Sequence, residues 1–247
     1  MDVTAHHPNK VPILCYHRVH RDDENLPTPP AGEYCGHTMV GEFRRQMQFL
    51  ADSGFSVVTH DQLYAWTVGY IDLAPSSVVI NFDDNRRNVL GNAYPIMKDL
   101  GFTATIFTIT GLPDGDCPAM MNYPWLGWDE LARLQEAGWR IEAHTRNHLQ
   151  LSEPRHSMAT IREELERSRD DIARHLGVRP KHFAYPVSSW NPNVERLVKE
   201  MFSSARHWSP VAPWTYNLRG GDPYRLSAIN ISAQLLFEAF RSAVSAC

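Results

Sequence analysis

The chain has 247 residues, with 24 Lys and Arg against 28 Asp and Glu, a formal net charge of -4 and an isoelectric point near 6.3. That balance leaves no basic footprint for a nucleic acid or an anionic membrane surface to grip. No apolar run approaches the ~20 residues that cross a bilayer, and the polar residues 1–10 lack the apolar centre of a secretory signal. No membrane segment is therefore expected, and the expected location is cytoplasmic.

In chain order, residues 11–16 form the first short apolar run and read as a strand buried on both faces. The proline-containing, acidic stretch 21–37 reads as a long loop, and Phe43, Met47 and Leu50 then share one helical stripe that stops at Gly54. Strands are predicted at 55–58, 77–82 and 104–109, with Gly101 closing the helix between the last two. Residues 111–127 read as a second long loop. Leu131, Leu134 and Ala137 make the next helical stripe, ended by Gly138 before a strand at 139–143.

The longest predicted helix runs over 157–176. Ile161, Leu165, Ile172 and Leu176 face the core, Gly177 closes the helix, and the charged face reads as solvated. Strands at 182–185, 203–206 and 225–229 complete the series. This alternation of strand and helix predicts parallel strands joined by helical crossovers, an α/β fold closing as a distorted (β/α)7–8 barrel. One catalytic domain, 11–247, is expected after an N-terminal tail of 1–10. Cys15, Cys35, Cys117 and Cys247 show no paired spacing and read as free thiols.

A parallel barrel builds its active site where strands end. Strand ends here deliver Tyr16-His17-Arg18, Asp83-Asp84-Asn85, His144 with His148, Tyr185-Pro186-Val187, and Arg206-His207-Trp208. Two adjacent carboxylates at the end of an apolar strand are costly unless a cation compensates one of them. His144 and His148, four residues apart, would share one side of a helical turn and reach one ion. Two imidazoles and one carboxylate leave positions open for water and substrate, and the second carboxylate can serve as a base. A zincin is excluded, because Thr145 follows His144 where that motif requires glutamate.

On these residues the chain resembles the polysaccharide deacetylases of carbohydrate esterase family 4. Val79-Ile80-Asn81-Phe82-Asp83-Asp84-Asn85 is similar to the first family motif, His144-Thr145-Arg146-Asn147-His148 to the second, and Phe183-Ala184-Tyr185-Pro186 to the third. The opening Ile13-Leu14-Cys15-Tyr16-His17-Arg18-Val19 resembles the permuted branch typified by poly-N-acetylglucosamine deacetylases. The resemblance implies Asp83 as general base, Asp84, His144 and His148 as metal ligands, the backbone N–H of Val187 as oxyanion donor, and His17 as general acid. It departs from the pattern at Asn85, where the family has glycine, and at Val187-Ser188. It departs again at Ala184, where classical members carry an arginine that orients the base; Arg206 and Arg86 are the candidates to replace it.

The implied activity is removal of an acetyl group from an N-acetylated carbohydrate. Its cofactor would be a divalent metal, with Zn2+ expected first and Fe2+, Co2+ or Ni2+ also suited to the donors. Tyr185, Trp190, Trp208, Tyr123 and Trp125 are the candidate sugar-facing aromatics, with Trp214 also near the rim, while Trp128 reads as a packing residue. Three other readings stay open: a catalytically silent carbohydrate-binding module, a hydrolase of another small amide, and an O-acetyl esterase.

Overall fold

Seven of the short apolar runs close into one parallel barrel. The structure is a computed structural model and describes residues 10–24, 36–113, 124–209 and 216–245. Its strands and helices follow in the order β1 (Lys10–Val11), β2 (Ile13–Tyr16), β3 (Arg18–His20), β4 (His37–Met39), α1 (Val40–Asp52), β5 (Ser56–Val57), α2 (His60–Thr67) and β6 (Ser77–Asp83). After these come α3 (Tyr94–Asp99), β7 (Thr105–Thr108), α4 (Trp128–Glu136), β8 (Arg140–Ala143), α5 (Met158–Leu176) and β9 (His182–Ala184). The series ends with α6 (Pro192–Met201), β10 (Ser204–Ser209), β11 (Asn217–Leu218), β12 (Leu226–Asn230) and α7 (Phe237–Ser245).

Around the barrel the strands run β2, β12, β10, β9, β8, β7, β6, and β2 pairs again with β6 to close it. All seven pairings are parallel. The predicted strand at 55–58 is not an eighth stave. Its core, β5, pairs alongside the first two residues of β6, Ser56 with Ser77 and Val57 with Val78. Between β10 and β12 the crossover carries β11, which pairs antiparallel with β1. Lys10, assigned to the N-terminal tail from sequence, is thus part of a strand opposite Leu218.

Strand β6 shows why these runs are buried on both faces. Val78, Ile80 and Phe82 point outward into a core shared with Phe43, Met47 and Leu50 of α1, and Phe82 stacks on Trp139 at 5.5 Å. Val79 points inward, packed with Ile13, Cys15 and Ala228. Burying each large apolar side chain contributes roughly 1.5–3 kcal/mol, so the outward face holds helix to barrel. The inward face becomes polar toward the strand ends, at Asn81 and Asp83, which are 0 and 1 % exposed.

Helix α5 starts where Ser157 accepts from the Thr160 N–H and stops at Gly177, whose φ of 70° is left-handed. Its apolar stripe packs as predicted, but the other side is not simply solvated: Glu164, Ser168 and Asp171 are buried. Among the described residues no helix is long and apolar enough to cross a membrane.

Candidate active site

The ends of β2, β6 and β8 bring together His17, Asp83, Asp84 and His144, and the loop after β8 adds His148. The strand of Asp83 ends in a turn with Asp84 at φ 68° and Asn85 at φ 37°. Asn tolerates that conformation better than most residues. It also does what glycine cannot, because its side chain accepts from the Ile109 N–H (3.2 Å) and donates to the Leu126 carbonyl (3.4 Å).

The two aspartates have different partners. Asp83 is bound through Oδ1 by Nη2 of Arg206, a side chain 0 % exposed. Asp84 accepts from Arg86 through Oδ2 at 3.0 Å. Its Oδ1 is buried with no hydrogen-bond partner and lies 3.6 Å from Nε2 of His144 and 3.5 Å from Nε2 of His148. Burial raises the Asp84 carboxyl, but His148, His17, Arg86 and His144 outweigh it and hold the group far below the usual carboxylate range.

Two arginines were candidates for orienting the base, and Arg206 is the one bound to Asp83. Arg206 stands opposite Ala184 in the β10–β9 register, so the guanidinium absent at position 184 comes from the neighbouring strand at the same level. Its Nε donates to the Asn81 amide oxygen at 3.0 Å, and its face lies over the Phe107 ring at 4.6 Å. Desolvation lowers the proton affinity of Arg206, but the Asp83 carboxylate more than restores it, so the guanidinium stays charged.

The histidines are arranged as metal ligands require. Nδ1 of His144 meets the Ala184 carbonyl at 2.8 Å and must donate there, which leaves the Nε2 lone pair facing Asp84. His148 does not follow on a helical turn. Residues 145–148 form a loop with Thr145 at φ 63° and His148 at φ 56°, and it sets the two imidazole centroids 5.0 Å apart.

That loop is held by the buried carboxylates of α5. Glu164 accepts from the N–H groups of Arg146 (3.1 Å) and Asn147 (2.8 Å), and from Nδ2 of Asn147 (2.5 Å). Asp171 accepts from Thr110 (3.0 Å) and from Arg146 (2.9 Å). Burial lowers the proton affinity of both site histidines, His144 and, to about 4, His148.

Asp84, His144 and His148 each offer a ligand atom within 4.8 Å of the others, so the set can hold a divalent metal. Metal–ligand bonds of ~2.0–2.2 Å in a tetrahedron place neighbouring ligands about 3.4 Å apart, close to the two carboxylate–imidazole separations here. The buried, unpartnered Oδ1 of Asp84 is the atom such an ion would satisfy.

His17 continues β2 at the rim, where its N–H donates to the Gly36 carbonyl at 2.6 Å. Burial lowers its proton affinity, while Asp84 and Asp83 pull it the other way. Val187 is 48 % exposed and sits at φ 51°, ψ 27°, a left-handed conformation that costs a β-branched residue strain.

Of the aromatic candidates, Trp125 lies against Arg86 at 4.1 Å. Trp190 donates to Glu195 (2.8 Å) and lies under Arg225 (4.8 Å), and the Trp208 backbone is clasped by Ser188. Tyr185, expected to face substrate, is instead 0 % exposed and packs between Phe183 and His207, because it shares with Phe183 the face that packs on α5 and α6. Trp128 stacks on His175 at 4.3 Å, a packing role. Tyr123 and Trp214 lie outside the described residues.

Sequence reasoning missed Cys15, whose thiol donates to Oδ2 of Asp83 at 3.5 Å. Strand alternation was the available signal, since Cys15 shares the inward face of β2 that leads to the rim.

The sequence profile of the family described as Polysaccharide deacetylase matches residues 71–202. The chain belongs to the polysaccharide deacetylase family. It is 31 % identical over 131 residues to the poly-beta-1,6-N-acetyl-D-glucosamine N-deacetylase of Staphylococcus aureus (strain MRSA252), covering 50 % of this chain and 44 % of that protein. The Bacillus subtilis (strain 168) protein YxkH is 28 % identical over 145 residues, 59 % of this chain and 46 % of the relative. The chain thus spans less than half the length of these curated relatives.

The fold of solved deacetylases extends over nearly the whole chain. The Streptococcus pyogenes deacetylase PplD, solved with acetate, superposes with a TM-score of 0.80 at 22 % identity, covering 96 % of this chain and 99 % of that one. IcaB from Ammonifex degensii gives 0.75 at 21 %, covering 96 % of each.

Proposed function

We propose that this chain is a metal-dependent hydrolase that removes the acetyl group from an N-acetylated sugar of a poly- or oligosaccharide or sugar conjugate, releasing acetate. One observation carries this reading: each of the neighbouring aspartates is bound by an arginine, but only Asp84 also faces a pair of imidazoles. Asp83 is committed to Arg206, and Asp84 turns a bare oxygen toward His144 and His148.

In this reading Asp84, His144 and His148 hold the ion, with Zn2+ the best match to two imidazoles, a carboxylate and tetrahedral spacing. When bound, the metal supplies Lewis-acid polarisation of the acetyl carbonyl and acidifies water in the site. Asp83, oriented by Arg206, takes the proton from the attacking water. The backbone N–H of Val187 donates to the oxyanion as the tetrahedral centre forms. His17 then gives a proton to the leaving amine; burial lowers its proton affinity, and Asp84 and Asp83 across the rim oppose that shift. Trp125, Trp190 and Trp208 flank the sugar. The relationship to the Staphylococcus aureus enzyme supports an N-acetylglucosamine-type substrate.

The test is acetate release from N-acetylglucosamine oligomers and small N-acetyl sugar conjugates, with and without chelator. Activity should vanish with chelator and return with added Zn2+. Asp83→Asn should abolish turnover while the protein still binds one ion. Normal hydrolysis by that variant would remove Asp83 from the role of base, and activity indifferent to chelator would remove the metal.

A further inference from the structure

We propose that the site contains a second ligand set, Cys15, His17 and Asp83, which takes up a further zinc-class divalent cation and thereby switches the enzyme off. The inference rests on the deacetylase reading above, because it gives His17 and Asp83 the roles that the second ion would block.

Strands β2 and β6 close the barrel side by side, with Cys15 opposite Asn81 and Tyr16 opposite Phe82. That register puts the inward Cys15 and the rim residue His17 next to Asp83. One ligand atom from each of the three lies within 4.8 Å of the others. Sγ of Cys15 is 3.5 Å from Oδ2 of Asp83, about the edge of a tetrahedron with a metal–sulfur bond of ~2.3 Å and a metal–oxygen bond of ~2.0–2.2 Å.

The chemistry of the three groups is compatible with an ion. Arg206 occupies only Oδ1 of Asp83, so Oδ2 remains for a cation. One ring nitrogen of His17 completes the set, and His17 is the partly buried member at the rim, while Cys15 and Asp83 are buried. Binding requires one proton transfer: the thiol proton now donated to Asp83 leaves to solvent as the sulfur–metal bond forms, with no change in oxidation state. Thiolate, imidazole and carboxylate together select Zn2+ and its neighbours over Mg2+ or Ca2+.

The second set shares no residue with Asp84, His144 and His148, so both can be filled together, and hydrolases accommodate ion pairs about 3.5–4 Å apart. An ion on the second set ties up the lone pairs of the base and the acid at once. Zinc would therefore support turnover at one equivalent and suppress it in excess.

The experiment titrates the full chain with Co2+ and Zn2+, reading bound metal by equilibrium dialysis and thiolate ligation by the near-ultraviolet thiolate-to-cobalt band. The wild type should bind two ions, with the band appearing only as the second enters. Cys15→Ser should bind one ion and show no band, and should need more than about tenfold more Zn2+ for half-inhibition of acetate release. The triple variant Cys35→Ser, Cys117→Ser, Cys247→Ser should keep the band, which decides the matter even where Cys15→Ser fails to fold. One ion and no band in the wild type would overturn the second site and leave the deacetylase reading standing. A band that survives in Cys15→Ser, or is lost in the triple variant, would also overturn it. No bound ion at all would overturn both.

Discussion

Glu164 lies on a helix remote from the chemistry, yet its truncation should weaken metal binding. Its carboxylate accepts from two backbone N–H groups and one amide of the loop that carries His148. A hydrogen bond to a charged group contributes about 1.5–3 kcal/mol, and water can replace part of the set on this half-buried loop. Glu164→Ala should therefore cost the loop conformation about 2 kcal/mol. His144 should stay in place, held by the Thr108 and Ala184 carbonyls, so the loss falls on His148. At 1.36 kcal/mol per tenfold, the metal Kd should rise about 30-fold. Glu164→Gln should recover most of it, because the Gln oxygen can still accept from both backbone groups while the Asn147 amide turns to match. The assay is competition with a chelator of known affinity, alongside a thermal melt. Unchanged metal affinity in a folded Glu164→Ala protein would refute the reasoning, as would equal losses in the Ala and Gln variants.

Gly36 has φ +78°, and a Cβ there would lie 1.8 Å from Nδ1 of His17. Gly36→Ala should displace that ring and lower kcat about 100-fold while the ion on Asp84, His144 and His148 stays bound, measured by steady-state kinetics and metal analysis at one equivalent of Zn2+. Arg206→Gln leaves a buried carboxylate without its cation and should destabilise the fold by about 3–5 kcal/mol in urea titrations. Arg206→Lys should fold better but turn over slowly, since an ammonium cannot bridge Asp83 and Asn81 as the guanidinium does. Burial lowers His207 to about 4 and His37 to about 3. Their contribution to stability is complete above the unfolded value near 6.5 and is lost as pH falls through about 4. Melts of the metal-free protein should therefore fall steadily between pH 6.5 and 4, and a flat profile would count against these two histidines.

The barrel was legible because its strands are uniformly apolar and its helices stop at glycines, as α5 does at Gly177. The motif residues were legible too, since Asp83 with Asp84 and His144 with His148 carry their signal within a few positions. Which arginine binds Asp83 stayed open between Arg206 and Arg86, because Arg206 is 123 residues from Asp83 in sequence. The His148 backbone was misread for a related reason: a four-residue spacing fits a helical turn, but left-handed residues in a loop achieve the same approach. Glu164 and Asp171 looked solvated because helical periodicity registers the helix's own core and not a loop docked on its polar side. Tyr185 was placed by motif position, which does not specify which way a ring points after the strand ends.

Closing the seam between β2 and β6 has a consequence for how such sites are compared along their sequences. In a ring of staves no stave is first, so His17, carried early in the chain, stands beside Asp83 as closely as a residue of the last stave could. Opening the ring at another seam would leave the neighbours of Asp83 the same.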